Sequence, residues 1–425
     1  MRVLVVGSGA REHALVWSLS NSALVTDIVA APGNPGIAEH AECVGVSATD
    51  LEGLLALALE RKVGLVVIGP EAPLVSGLAD MLAEHGIPAF GPGRLAAQLE
   101  GSKSFAKGLM RYAGVPTAMA TEFTNASDAI LHADRFDGRV VVKADGLAAG
   151  KGVSVCDDMD AARLAITDAL EEKKFGEAGE RILIEELLEG PEFSVLAFCD
   201  GKSVVPMEAA QDFKRAYDRD EGGNTGGMGS YSPVPAFTKE LAEFTTDRIF
   251  EPVVAAIADQ AEPYVGVLYA GLMLTRDGLK IIEFNCRFGD PETEVLLPRM
   301  DFDLCEAMLA CLDGSLPGVQ LKWSPQSCVC VIAASSGYPE MDAIPTGFEI
   351  TGIEDAKAEG ALVFHAGTTM KGDRLVTKGG RVLAVTGLGS DLASARDKTY
   401  TALSKVSFEG VRYRADIGLQ AAMNS

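Results

Sequence analysis

The tightest constraint on the fold lies in the first hundred residues. There the apolar runs Val3 to Val6, Val25 to Ala31, Val63 to Ile68 and Ile87 to Phe90 alternate with segments of helical period. Parallel strands need long crossover connections, so this alternation predicts a parallel α/β sheet. The first crossover opens with Gly7-Ser8-Gly9-Ala10-Arg11-Glu12. Glycines let backbone N–H groups approach a ligand and a helix N-terminus favours negative charge, so a phosphate-bearing ligand fits this turn. A dinucleotide-binding oxidoreductase fits poorly. Glu12 stands where the third glycine of its fingerprint belongs, and the second strand ends in Ala30-Ala31-Pro32 with no acid for a ribose.

A chain of 425 residues exceeds what one undivided core usually supports, so several domains are expected. Its 46 Gly and 19 Pro are dispersed and form no low-complexity tract. The formal net charge of −23 repels phosphate polymers and anionic lipid, which argues against nucleic-acid or membrane partners and makes any phosphate site local. Eight Cys lack paired metal-ligand spacing and read as reduced thiols. Met1 leads directly into a strand-like run and no apolar stretch approaches membrane-spanning length, so a cytoplasmic protein is expected.

The second region carries a strand-like run, Arg139 to Lys143, then a glycine-rich loop, Ala144 to Gly152, then a second strand-like run. The loop is no Walker A motif, because only three residues separate Gly146 from Gly150 and Gly152 replaces the Ser or Thr. A hairpin with Lys143 before it and Lys151 within it can instead close over a triphosphate. Farther on, the apolar strand Ile182 to Ile184 ends in Glu185 and Glu186, and Glu192 follows. A strand end with backbone donors and nearby carboxylates suits a nucleoside.

The segment Gly278 to Glu294 is the most informative. In a strand, Glu283 and Asn285 share one face and Arg287 continues it. Two oxygen ligands side by side are what Mg²⁺ needs when phosphates and water supply the rest. Those polar groups among apolar neighbours would be costly without a ligand.

Taken together, GSGAREHA at 7–14, APGNPG at 31–36, GPEAPLV at 69–75, LEGSKSFAK at 99–107, KADGLAAGKGV at 143–153, QDFKR at 211–215, GGNTGGMGSYSPVP at 222–235, LYAGLM at 268–273, EFNCRFGDPETE at 283–294, VFHAGT at 363–368 and GGRVLAVT at 379–386 are similar, in this order, to the phosphoribosylamine–glycine ligases of the ATP-grasp superfamily. The resemblance covers nearly the whole chain. It implies a multidomain α/β and α+β fold: an N-terminal parallel α/β domain over 1–101, a two-lobed ATP-grasp region over 102–325 and a small mixed C-terminal domain over 326–425. Within the ATP-grasp region it implies a lid near 123–190 and a body near 191–325. The implied activity joins glycine to 5-phosphoribosylamine with ATP, and Mg²⁺ as metal with Mn²⁺ as the alternative. The implied partners are small molecules alone, with a monomer as the default.

The resemblance also implies roles for single residues. Lys103, Lys143, Gly150 and Lys151 match triphosphate contacts, Glu185, Glu186 and Leu188 the adenine hinge, and Glu192 the ribose contact. Glu283 and Asn285 match the metal ligands. Gly9, Asn34, Gly36, Glu71, Gly226, Gly227 and Met228 match the substrate loops. Asp212, Lys214, Arg287 and Asp290 match the central catalytic cluster, where Asp can hold an ammonium and Lys or Arg a carboxylate or phosphate.

Two positions depart from the family pattern. Phe213 replaces a common His, which excludes an imidazole proton relay there, and Gly223 replaces a Pro, which predicts a more mobile loop before Asn224. His13 and His365 read as packing residues. A ligase for another carboxylate–amine pair, or a binding protein without turnover, are the competing readings. The first would differ at GPEAPLV and QDFKR, and the second would lack Lys143, Glu283 or Asn285.

Overall fold

The computed structural model describes residues 1–148, 151–341 and 343–424. The N-terminal alternation forms a five-stranded parallel sheet in the spatial order Glu42–Cys43, Asp27–Pro32, Arg2–Gly7, Leu65–Ile68, Ala89–Phe90. The first strand sits at its centre, which explains why Val3, Val5 and Val6 are fully buried. Its C-terminal end delivers the glycine turn to helix Ala10–Ser20.

A second sheet is antiparallel, ordered Ala120–Phe123, Ile182–Glu186, Val140–Ala144, Val153–Cys156. Helices Ala126–Asp134 and Met159–Leu170 pack on it, and their Ala and Ile side chains make a core of their own with Val140, Val142 and Ile184. The expected hairpin is present, with Lys143 opposite Val153. A third sheet, ordered Val204–Pro206, Glu192–Asp200, Val265–Thr275, Gly278–Asn285, forms the floor facing it. Lys143 reaches across to the carbonyl of Ile282.

The fourth sheet joins distant parts of the chain. Its order is Gln211–Asp212, Gly229–Ser232, Ser327–Ala334, Arg381–Gly389, Leu362–His365. Two strands from before residue 325 thus pair with three from after it, and Ser327–Ala334 is buried along its whole length. All eight cysteines are free, and seven are buried. Among the described residues no helix is long and apolar enough to cross a membrane.

Candidate active site

The floor strand Gly278–Asn285 places the two expected metal ligands. Its pairing with Val265–Thr275 is regular up to Ile281, opposite Leu272, and resumes with Glu283 opposite Gly271, so Ile282 is an extra residue in the ladder. A bulge re-aims the backbone. Here the Ile282 carbonyl accepts the Lys143 ammonium at 3.1 Å, while Glu283 and Asn285 keep a common face. Lys214 Nζ lies 3.5 Å from Glu283 and 3.4 Å from Glu192. Desolvation pushes Glu283 toward its neutral form, yet Lys214, Lys143 and Lys103 together hold its carboxyl below the usual range. An ionised carboxylate beside a neutral amide oxygen fits a hard divalent cation whose other ligands are phosphate oxygens and water. Among the described residues no three His, Cys, Asp or Glu side chains are grouped so as to hold a metal by themselves.

Around this floor the lysines converge. Lys103 opens helix Lys103–Ala113 and touches the carbonyl of Gly146 at 3.3 Å. Burial lowers its pKa, with Glu283 opposing and Lys143 adding. Glu185 is buried and bridges two cations, Lys143 at 3.0 Å and Lys107 at 3.3 Å. Desolvation holds Lys107 down at about 8 against the pull of Glu185. Glu186 accepts from Lys280 at 2.9 Å and from the Met119 N–H at 3.1 Å, tying the strand end to the residue before strand Ala120–Phe123. A cavity of about 540 Å³ opens beside this hinge, lined by Lys107, Met119, Phe136, Ile184, Glu185 and Glu186 among others. Leu188 follows the hinge, half-buried, and Lys151 is exposed on the hairpin loop. Gly150 lies outside the described residues.

The N-terminal loops close one side. The Gly9 N–H donates to the Glu12 carboxylate at 2.6 Å, and Glu12 also pairs with Arg11 at 2.6 Å. An internal carboxylate therefore occupies part of the helix start that the sequence offers to an external anion. A methyl group on Gly9 would lie 3.7 Å from Asp290 Oδ2, so this loop borders the central cluster. Arg287 bridges Glu71 at 3.3 Å and Glu100 at 2.8 Å, and touches Asn285 Oδ1 at 3.4 Å. Desolvation raises Glu71, but the Arg287 and Arg11 cations outweigh it and keep it low. Asn34 and Gly36 are more deeply placed: Asn34 is buried with its amide bonded to Ser8, His365 and Ile37, and Gly36 packs against the rings of His13 and His365.

The central cluster is strongly coupled. Asp212 accepts from Ser194 Oγ at 3.3 Å, and Ser194 lies 2.9 Å from both Tyr269 Oη and Glu292. Desolvation pushes the Asp212 carboxyl up to about 7, with Lys214 opposing and Glu292, Glu192 and Glu283 adding. Asp290 pairs with Arg381 at 2.9 Å, and the same guanidinium also donates to the carbonyls of Gly226 at 2.6 Å and Gly227 at 3.3 Å. Position 227 suits only glycine, because its φ is 105° and Pro291 packs where a side chain would stand. Met228 is fully buried, with its N–H on Phe213 and its carbonyl on Ile332, so its contribution is packing beneath the loop. Glu294 is also fully buried, and desolvation with Asp290 nearby drives its pKa well up.

Comparison with known proteins decides the family. The phosphoribosylglycinamide synthetase N domain matches residues 1–100, the ATP-grasp (A) domain of the same synthetase matches 101–293, and its C domain matches 328–420. The chain is 49% identical over 423 residues to the phosphoribosylamine--glycine ligase of Caulobacter vibrioides, covering 99% of this chain and 98% of that one. The chain belongs to the phosphoribosylglycinamide synthetase family. It is 46% identical to the Allochromatium vinosum ligase of the same name, covering 99% of each. The solved Thermotoga maritima phosphoribosylamine--glycine ligase superposes with a TM-score of 0.83 at 32% identity, covering 98% of this chain and all of that one. The biotin carboxylase domain of Hydrogenobacter thermophilus 2-oxoglutarate carboxylase, at 20% identity and a TM-score of 0.69, shares the fold and was solved with MgADP.

Against this family background the two departures find a physical setting. The Phe213 ring carries the Arg414 guanidinium 4.9 Å above it and packs on Tyr231 at 6.2 Å. The residues before Asn224 form the short strand Glu221–Asn224, paired with Arg215–Tyr217, and a side chain on Gly223 would meet Pro339 at 3.6 Å. Sequence reasoning missed Lys107, Glu100, Arg381 and the trio Ser194, Tyr269 and Glu292. Arg381 and Glu292 stood inside quoted motifs, and Lys107 ended another, so the signal was present but unassigned.

Proposed function

We propose that this chain joins glycine to 5-phosphoribosylamine with ATP, giving glycinamide ribonucleotide, ADP and phosphate in purine biosynthesis through a glycyl phosphate. The observation that carries the reading is the meeting of Lys103, Lys143 and Lys214 with Glu283 and Asn285 on one floor, beside Asp212 and Arg287. A carboxylate resists attack by an amine, because its delocalised charge makes carbon a poor electrophile and oxide a poor leaving group. Transfer of the γ-phosphoryl group to the glycine carboxylate removes both obstacles, and the amine then displaces phosphate.

The named residues would divide this work. Lys103, Lys143, Lys151 and Gly150 hold the triphosphate, Glu185, Glu186 and Leu188 frame the adenine, and Glu192 meets the ribose. Glu283 and Asn285 would hold Mg²⁺, with Mn²⁺ the alternative, and the ion would neutralise phosphate charge. Asp212 and Asp290 are suited to hold an ammonium, while Lys214 and Arg287 orient carboxylate and phosphate. Gly9, Glu71, Gly226 and Gly227 border the ribosyl substrate, with Asn34, Gly36 and Met228 shaping those loops. Positioning and charge stabilisation supply catalysis, without a covalent enzyme nucleophile. We assign the segments 1–101, 102–325 and 326–425 as domains, with 123–190 as the lid, and the protein as a cytoplasmic monomer.

The test is ADP release by purified protein with Mg-ATP, omitting glycine or freshly made phosphoribosylamine in turn. Release that needs both, with glycinamide ribonucleotide detected, is expected. Stimulation by a different carboxylate–amine pair would overturn the substrate assignment while leaving the ATP chemistry.

A further inference from the structure

The strand Leu362–His365 lies at the edge of its sheet, so some of its backbone groups face away from the ladder. Those of His365 are taken by residues more than three hundred positions earlier. The His365 N–H donates to His13 Nδ1 at 2.8 Å, and its carbonyl accepts from Asn34 Nδ2 at 2.7 Å. Asn34 Nδ2 also donates to the Ser8 carbonyl at 2.9 Å, and Asn34 Oδ1 accepts from the Ile37 N–H at 2.9 Å. Both amide hydrogens are thus spent on carbonyls, one in each segment, a job that the isosteric Asp cannot do. The loops are further linked by the Gly33 N–H on the Gly7 carbonyl at 3.1 Å. Gly36 completes the closure, since any side chain there would collide with both the His13 and His365 rings.

We propose that Asn34, His13 and His365 form a clamp by which the 363–368 segment positions the loops at 7–9 and 33–36 for the ribosyl substrate. The inference rests on the functional reading above, which places phosphoribosylamine on these loops. Asn34 then acts through the loops, as a positioning residue whose two amide hydrogens are already committed. His13 must be neutral with its proton on Nε2, because Nδ1 accepts a hydrogen bond. Burial and the neighbouring His365 and His40 rings, which lower its pKa, agree with that state.

Steady-state kinetics of the full chain test the clamp. Asn34→Ala and His13→Ala each leave buried carbonyl or N–H groups unpaired, so the KM for phosphoribosylamine is expected to rise about tenfold. The KM values for ATP and glycine should stay within about twofold, because their groups lie on other elements. His13→Asn restores an acceptor near the Nδ1 position and should return the KM most of the way. If Asn34→Ala does not fold, the His13 pair decides alone. A general rise of all three KM values, or an unmoved phosphoribosylamine KM, overturns the clamp. Failure of the unaltered protein to use phosphoribosylamine overturns the functional reading instead.

Discussion

Asp212 carries a charge that its buried setting disfavours. Desolvation pushes its carboxyl up to about 7, although Lys214 pulls the other way. An acid holds an ammonium only when ionised, so the binding form is present above about pH 7 and lost below it. Glycine affinity in the metal-free protein is expected to fall by up to about tenfold for each pH unit below about 7, and to level off above. Asp212→Asn should bind glycine weakly at every pH, and titration calorimetry across that range checks both. A wild-type profile that stays flat would remove Asp212 from the ammonium site. Asp212 and Lys214 were legible in sequence because QDFKR keeps them together. The meeting of Ser194, Tyr269 and Glu292 beside Asp212 was not, because each comes from a different element, even where the residue stood in a quoted motif.

At the scale of elements, strand alternation was enough to put Glu283 and Asn285 on one face. The bulge at Ile282 that aims a carbonyl at Lys143 was not readable, since a bulge exists only relative to a partner strand. The same holds for Ile182–Glu186. Its end reads as a nucleoside hinge, but the burial of Glu185 between Lys143 and Lys107 depends on strand Val140–Ala144 and helix Lys103–Ala113 arriving from either side. Removing a buried carboxylate that serves two ammonium groups leaves both uncompensated. Glu185→Gln is therefore expected to cost about 3 to 5 kcal/mol in urea unfolding and to raise the KM for ATP, because Lys143 loses its anchor. An unchanged unfolding midpoint would show that water or backbone carbonyls suffice for both lysines.

At the scale of the molecule, the apolar periodicities announced separate α/β and antiparallel units, but not that one sheet would recruit Gln211–Asp212 and Gly229–Ser232 alongside three later strands. Pairings between residues a hundred positions apart leave no local trace in a sequence. This shared sheet carries Arg381 to Asp290 and to the carbonyls of Gly226 and Gly227, so the last hundred residues supply a cation to the central cluster. Without it, Asp290 would face Glu294 without its ion-pair partner, and the glycine loop would lose its tether. Arg381→Ala is expected to destabilise the protein by about 3 to 5 kcal/mol and to lower kcat/KM for glycine by about a hundredfold or more. Adding Asp290→Asn removes the stranded charge, so the double variant should regain part of the stability without regaining activity. Recovery of stability would trace the loss to the stranded Asp290 charge; no recovery would trace it to the lost tether on Gly226 and Gly227.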